Sequence, residues 1–171
     1  LNSGGNAVDA AVAGALTAGV LEPTAHYTLG GEVAFLFYDA AEDRVRSIVG
    51  QGWAPKQATI EYYNKNFGEI PAGALSTTVP GVISALLTML KLYGTFSFED
   101  VVMDALTFAG KGFPAYQLFS RAINTEERLK NIKKFKTTSD VFLPGGEPPE
   151  IGSMFVQENL YKSLNLMVEA E

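Results

Sequence analysis

Hydrophobic positions in this chain follow two rhythms. The first is helical: Ala7 to Leu21 is rich in alanine and apolar on nearly every side, which predicts a helix buried between layers. Asn6 is a good N-cap for it, Asp9 sits three residues on in a capping-box position, and Glu22-Pro23 ends it. The second rhythm is extended. Gly30-Gly31 opens a nearly continuous apolar run from Val33 to Tyr38, and Arg44 to Val49 returns with partial alternation. With Asp39 to Asp43 between them, these runs predict a β-hairpin with a five-residue loop. A strand apolar on both faces beside an apolar helix predicts a sheet covered by helices.

From Pro71 onward the pattern is helical again. Val79-Pro80-Gly81 leads into a helix with Ile83, Leu86, Leu87 and Leu90 on one face, ended by Gly94. Ser97-Phe98-Glu99-Asp100 is a capping box for the next helix, which carries Val101, Val102, Ala105, Leu106 and Ala109 and is expected to stop at Gly110. A third runs from about Ala115 towards Phe135 with a break near Asn124-Thr125. Thr137-Thr138-Ser139-Asp140 reads as a turn and helix cap, and Gly145-Gly146 with Pro148-Pro149 as a loop. The last helix spaces Val156, Leu160, Leu164 and Met167 along one face. There is no internal repeat and no linker, so residues 1–171 read as one domain.

Composition narrows the function classes. At 171 residues the chain can bury roughly 70% of its unfolded surface, and 47% hydrophobic against 19% charged residues excludes disordered and collagen-like classes. A net charge of −6 argues against nucleic acid or an anionic membrane surface as the main partner. The Ala7–Leu21 run is too short to span a bilayer and contains Asp9. Six basic residues against two acidic ones make Arg121 to Lys136 locally positive. Leu129, Ile132 and Phe135 among them fit a solvated amphipathic face, the alternative being a docking site for an acidic partner.

Candidate chemistry is sparse. Without cysteine there is no thiolate nucleophile or thiolate metal site, and one histidine, His26, rules out a multi-His centre. His26 reads either as a hydrogen-bonded loop residue or as a general base. Gly4-Gly5 precedes a helix but follows no strand, so it is not a nucleotide fingerprint. Thr77-Thr78 and Thr137-Thr138 have no neighbouring base in sequence. No pair of carboxylates is singled out. With no initiator Met and a last helix cut off without a stop signal, the chain reads as a piece of something longer.

Gly4-Gly5-Asn6-Ala7-Val8-Asp9-Ala10-Ala11-Val12-Ala13 resembles the G-G-N-A-V-D-A-A-V-A signature near the start of the γ-glutamyltransferase family. Further likenesses follow in order. Glu22-Pro23 resembles the family's E-P, and Leu29-Gly30-Gly31-Glu32 its G-[IL]-G-G-[GDE] turn, with Thr28 where the first Gly is usual. Ala54-Pro55 matches the A-P after the hairpin, Val79-Pro80-Gly81 the V-P-G, and Tyr93-Gly94 the Y-G. Ala109 to Phe113 resembles A-x-x-G-F, and Gly152, Gln157 and Asn159-Leu160 resemble the later G-x4-Q-x-x-L-A region. The likeness spans the chain.

The resemblance implies an α+β fold, part of an αββα sandwich of the N-terminal-nucleophile (Ntn) hydrolase type. In it, helices cover a sheet that the small subunit completes, and residues 1–171 form an incomplete part of the large subunit. It implies a self-cleaving precursor whose nucleophile is a Thr at the start of the small subunit, its own α-amino group serving as base. That Thr lies outside this chain, since Thr137-Thr138 is followed by Ser139 and not by the family's His, so no catalytic residue is assigned here. The partners implied are the small subunit of the same precursor and a small-molecule amide or peptide substrate. Neither nucleic acid nor membrane contact is implied for this segment, nor any metal or organic cofactor.

One departure bears on substrate. The family's hairpin ends R-E-x-A-P, its Arg holding the α-carboxylate of the glutamyl group, whereas here the segment is Gln51-Gly52-Trp53-Ala54-Pro55. Gln51 and Trp53 are thus the candidate substrate-binding residues, forming one wall of the acyl pocket. A neutral amide makes no charge-assisted bidentate contact, a loss of roughly 2–5 kcal/mol at a desolvated site. The expected activity is that of an acylase or amidohydrolase with non-standard acyl specificity. The alternatives are a local shift of the alignment or another cation in the Arg's role. From a different class, an inactive relative retained as a binding or scaffold protein also fits these residues.

Overall fold

The structure, a computed structural model, describes residues 1–24 and 28–171 and is α+β. Helix α1 (Ala7–Leu21) leads into the hairpin β1 (Val33–Asp39) and β2 (Arg44–Gly50). The short α2 (Ile60–Asn66) and a 3-10 turn at Ala74–Ser76 precede α3 (Val82–Tyr93) and α4 (Phe98–Lys111). Then come β3 (Phe113–Pro114), α5 (Gln117–Ile123), α6 (Glu126–Lys133), α7 (Lys136–Phe142), β4 (Met154–Phe155) and α8 (Glu158–Glu169).

Both capping boxes form. Asn6 Oδ1 accepts from Val8 N and Asp9 N while Asp9 Oδ2 accepts Asn6 N–H at 2.7 Å. Ser97 and Asp100 reciprocate in the same way at α4. Asp9 does more than cap. Its Oδ1 also accepts the N–H groups of Thr95 (2.8 Å) and Phe96 (3.1 Å), and its Oδ2 the Thr95 hydroxyl at 2.7 Å. Asn6 Nδ2 donates to the Tyr93 carbonyl at 2.7 Å. The start of α1 is thereby tied to the corner between α3 and α4. Burial alone would push the Asp9 carboxyl up; the Thr95 hydroxyl and the N–H groups of Asn6, Thr95 and Phe96 outweigh it and hold its pKa at about 2.

The core lies where α1 packs on α3 and α4, with α8 packed against α4. Val12, Leu16 and Val20 of α1 meet Leu86, Met89, Val102 and Ala105, each fully or almost fully buried. Phe113, Tyr116, Phe119, Phe142 and Phe155 form an aromatic cluster beside them. Gln157 is a buried polar bridge: its Nε2 donates to the Val20 carbonyl at 2.8 Å and its N–H to the Ala109 carbonyl at 2.9 Å, joining the ends of α1 and α4 to the start of α8.

Several expectations are corrected. Helix α1 is not buried all round: Ala7, Ala11 and Gly14 are exposed, because only its Val12–Leu16–Val20 side meets other helices. Helix α3 buries Val82, Ala85, Leu86, Met89 and Leu90, leaving Leu87 exposed, so its core face is rotated from the expected one. Helix α4 runs through Gly110 and stops at Gly112, whose φ of +81° turns the chain into β3. Thr137 to Asp140 lie inside α7. The β3–β4 pair, Phe113 opposite Phe155, was not expected; strands of two residues carry no periodicity. The break at Asn124-Thr125 is present, and α6 turns Leu129 and Ile132 to the core while Arg128, Lys130, Lys133 and Lys134 stay exposed.

Among the described residues the hairpin is covered on one face only. Val33, Phe35, Phe37 and Ile48 pack against the core, whereas Leu36 (76% exposed), Tyr38, Val45 and Val49 (65%) form an open apolar face. Among the described residues no helix is long and apolar enough to cross a membrane.

The Asp9 contacts carry a sign that urea or thermal unfolding can read. The ionised carboxyl favours the folded state, so its contribution is complete above pH 3.8 and is lost as pH falls through about 2. Asp9→Ala, which leaves several buried N–H groups without an acceptor, is expected to cost roughly 3 kcal/mol at neutral pH. Between pH 4 and pH 2 the gap between wild type and variant should narrow; a gap independent of pH would contradict this account.

Candidate functional site

The site grows from the end of β2. Strand alternation does not stop at Gly50: Arg46, Ile48, Gly50 and Gly52 are turned inward, and Val45, Ser47, Val49, Gln51 and Trp53 are the exposed members. Gln51 and Trp53 therefore continue the open face of the hairpin, and the Trp53 indole is 85% exposed. The sequence-derived pair is brought together on one edge, two residues apart, with no ion pair to residues 51–55 or 77–81 among the described residues.

What fixes this edge is a crossing of main chains. The segment 78–81, which enters α3, runs against the segment 50–53, and Val79 N–H donates to the Trp53 carbonyl at 2.9 Å. Three glycines make room. A Cβ at Gly50 would come within 2.6 Å of Ala85 Cβ and 2.8 Å of Val33 Cγ1, and one at Gly81 within 2.6 Å of the Gly50 carbonyl oxygen. A Cβ at Gly52 would collide with the Val79 carbonyl oxygen and lie 2.6 Å from Thr78 Oγ1. Only hydrogen in place of a side chain lets the two backbones approach this closely. Reading the sequence missed these glycines as site-building residues. A strand ending Gly-x-Gly was the available signal, but its partner segment lies far along the chain.

Other candidates fall elsewhere. His26 lies outside the described residues. Thr77 Oγ1 donates to the Ala74 carbonyl at 2.8 Å, capping a turn, and Thr137 and Thr138 sit in α7. A groove of about 810 Å³ between α4 and α8, lined by Met103, Leu106, Val156, Tyr161 and Val168, shares no residue with the glycine crossing. Among the described residues no group of three or more His, Asp or Glu side chains converges to hold a metal ion.

The family model described as gamma-glutamyltranspeptidase matches residues 1–171. The glutathione hydrolase-like YwrD proenzyme of Bacillus subtilis (strain 168) is 35% identical over 172 residues, covering 99% of this chain and 32% of that protein. Among solved structures, the Helicobacter pylori gamma-glutamyltranspeptidase superposes with a TM-score of 0.89 at 27% identity, covering 99% of this chain and 49% of that one. The cephalosporin acylase from Bacillus halodurans gives 0.87 at 27% identity, with coverages of 99% and 32%. The chain thus spans about a third of the length of the YwrD proenzyme.

The crossing predicts that Gly81→Ala, which must push the start of α3 off the Gly50 carbonyl, destabilises the protein by roughly 1–3 kcal/mol, read as the shift in urea midpoint. An unchanged midpoint would show that the two segments separate freely.

Proposed function

Because the chain belongs to the gamma-glutamyltranspeptidase family, we propose that it is the large-subunit part of a self-processing amide-bond hydrolase or acyltransferase. The nucleophile is a Thr hydroxyl outside residues 1–171. It adds to the substrate carbonyl, the amine departs with a proton, and water or an acceptor amine releases the acyl group. Residues 1–171 supply outer helices, one hairpin of the sheet and one wall of the acyl pocket, at Gln51 and Trp53. The small subunit packs its strands on the open face of Leu36, Tyr38, Val45 and Val49. The reading calls for no metal or organic cofactor.

The observation that carries this reading is the continuity of that face with Gln51 and Trp53. An apolar strand face of this size is covered in the working protein. The side chains that extend it then sit at the margin of the contact, where a substrate meets both subunits. Fold and family likeness to both a gamma-glutamyltranspeptidase and a cephalosporin acylase supports a shared amide chemistry with divergent acyl groups. Gln51 offers one carbonyl and one amino group in place of a cation, which favours acyl donors without an α-carboxylate.

The test uses the full-length precursor. Denaturing gels should show two chains after self-cleavage; a single uncleaved, inactive chain would support the scaffold alternative. Gln51→Arg should raise kcat/KM on γ-glutamyl-p-nitroanilide by roughly tenfold or more. Wild-type turnover of that compound already equal to the variant's would defeat the specificity argument.

A further inference from the structure

Gly52 stands between the two candidate pocket residues, and the need for glycine there is spatial. Its backbone is not among those with positive φ, so a side chain would fit the conformation. What a side chain would not fit is the contact with residues 78–79: besides the collision with the Val79 carbonyl, a Cβ would lie 3.0 Å from Thr78 Cβ. The Val79 N–H to Trp53 C=O hydrogen bond closes the same contact from the next residue. Residues 52 and 53 are thus pinned through the main chain, while the flanking side chains of Gln51 and Trp53 stay exposed.

This arrangement makes residue 52 a fulcrum. Any side chain there lifts the segment away from residues 78–79, and because Gln51 and Trp53 flank it, both move together. A shift of about an ångström is large on the scale at which substrate positioning is felt. We propose that Gly52 is a positioning residue for acyl selectivity: by admitting the main-chain contact with Thr78 and Val79, it sets where the Gln51 amide and the Trp53 indole meet the acyl group. It acts through those two side chains and contacts no reacting atom. The inference rests on the reading that Gln51 and Trp53 wall the acyl pocket.

The experiment measures two donors on the full-length protein: γ-glutamyl-p-nitroanilide, and butyryl-p-nitroanilide, which has the same acyl chain without carboxylate or amine. Gly52→Ala is expected to change the ratio of their kcat/KM values at least fivefold, mainly through KM. Gly110→Ala is the comparator, because its Cβ would press on the Tyr161 ring at 2.8 Å, away from the crossing. It should lower Tm and leave the ratio within twofold. If Gly52→Ala lowers Tm and both rates in equal proportion, the residue is structural only and the proposal falls. Should Gly52→Ala not fold, Thr78→Val alters the same contact by one atom and should move the ratio in a smaller step; an unmoved ratio then overturns the proposal. Wild type turning over neither anilide would sink the functional reading and this inference together, an outcome distinct from turnover with an unmoved ratio.

Discussion

The carboxylate of Asp9 is the constraint on which the rest of the arrangement hangs. Four donors from two separate segments converge on its two oxygens, and Asn6 adds a fifth bond to the Tyr93 carbonyl. A buried carboxylate is costly unless its acceptor capacity is filled, and here it is filled by groups that would otherwise be orphaned at a helix start and a helix–helix corner. One side chain therefore caps α1 and fixes the end of α3. The other end of α3 rests on the glycine crossing at Gly81 and Gly50. The helix is clamped at both ends, and the β2 edge that bears Gln51 and Trp53 is positioned against it.

Local signals were legible in the sequence, and non-local ones were not. Both capping boxes depend on residues three apart, and both form. The hairpin is likewise local, though its loop is four residues rather than the expected five, because Asp39 pairs with Arg44; its register runs from Val33 opposite Gly50 to Asp39 opposite Arg44. Which glycine ends α4 was misread because Gly110 and Gly112 are equivalent by sequence. Only the pairing of Phe113 with Phe155 decides for Gly112, and that partner arrives much later in the chain. Thr137 to Asp140 look like turn formers, but Val141 and Phe142 pack on the core and draw the segment into a helix. At the candidate site, the exposure of Gln51 and Trp53 continues a period of two that begins in β2. The contact that holds them was invisible, since Thr78 and Val79 carry no mark of what they touch.

The open surfaces have a common cause. Helix α1 is nearly uniformly apolar and β1 is apolar on both faces, patterns that belong to elements covered from two sides. The structure covers each from one side, leaving Ala7, Ala11 and Gly14 on α1 and Leu36 and Val49 on the hairpin. Exposed large apolar side chains scattered singly need no explanation, but four on one face of a hairpin do. The two-sided apolar pattern of β1 and the exposed face are what the small subunit of the proposed function would cover.

In the proposed function, that cover also changes what Gln51 means. At an exposed edge, water solvates a substrate carboxylate and a neutral amide beside it costs little. Under a second sheet the same carboxylate loses its water, and without a cation the loss is uncompensated, while an uncharged acyl group pays no such penalty. Covering the open face would therefore convert a small difference between Gln and Arg into a large difference between acyl donors. In the proposed function, selectivity is then a property of the assembled sandwich: the proposed large-subunit chain would supply the neutral amide, and the proposed partner the desolvation that makes its neutrality count.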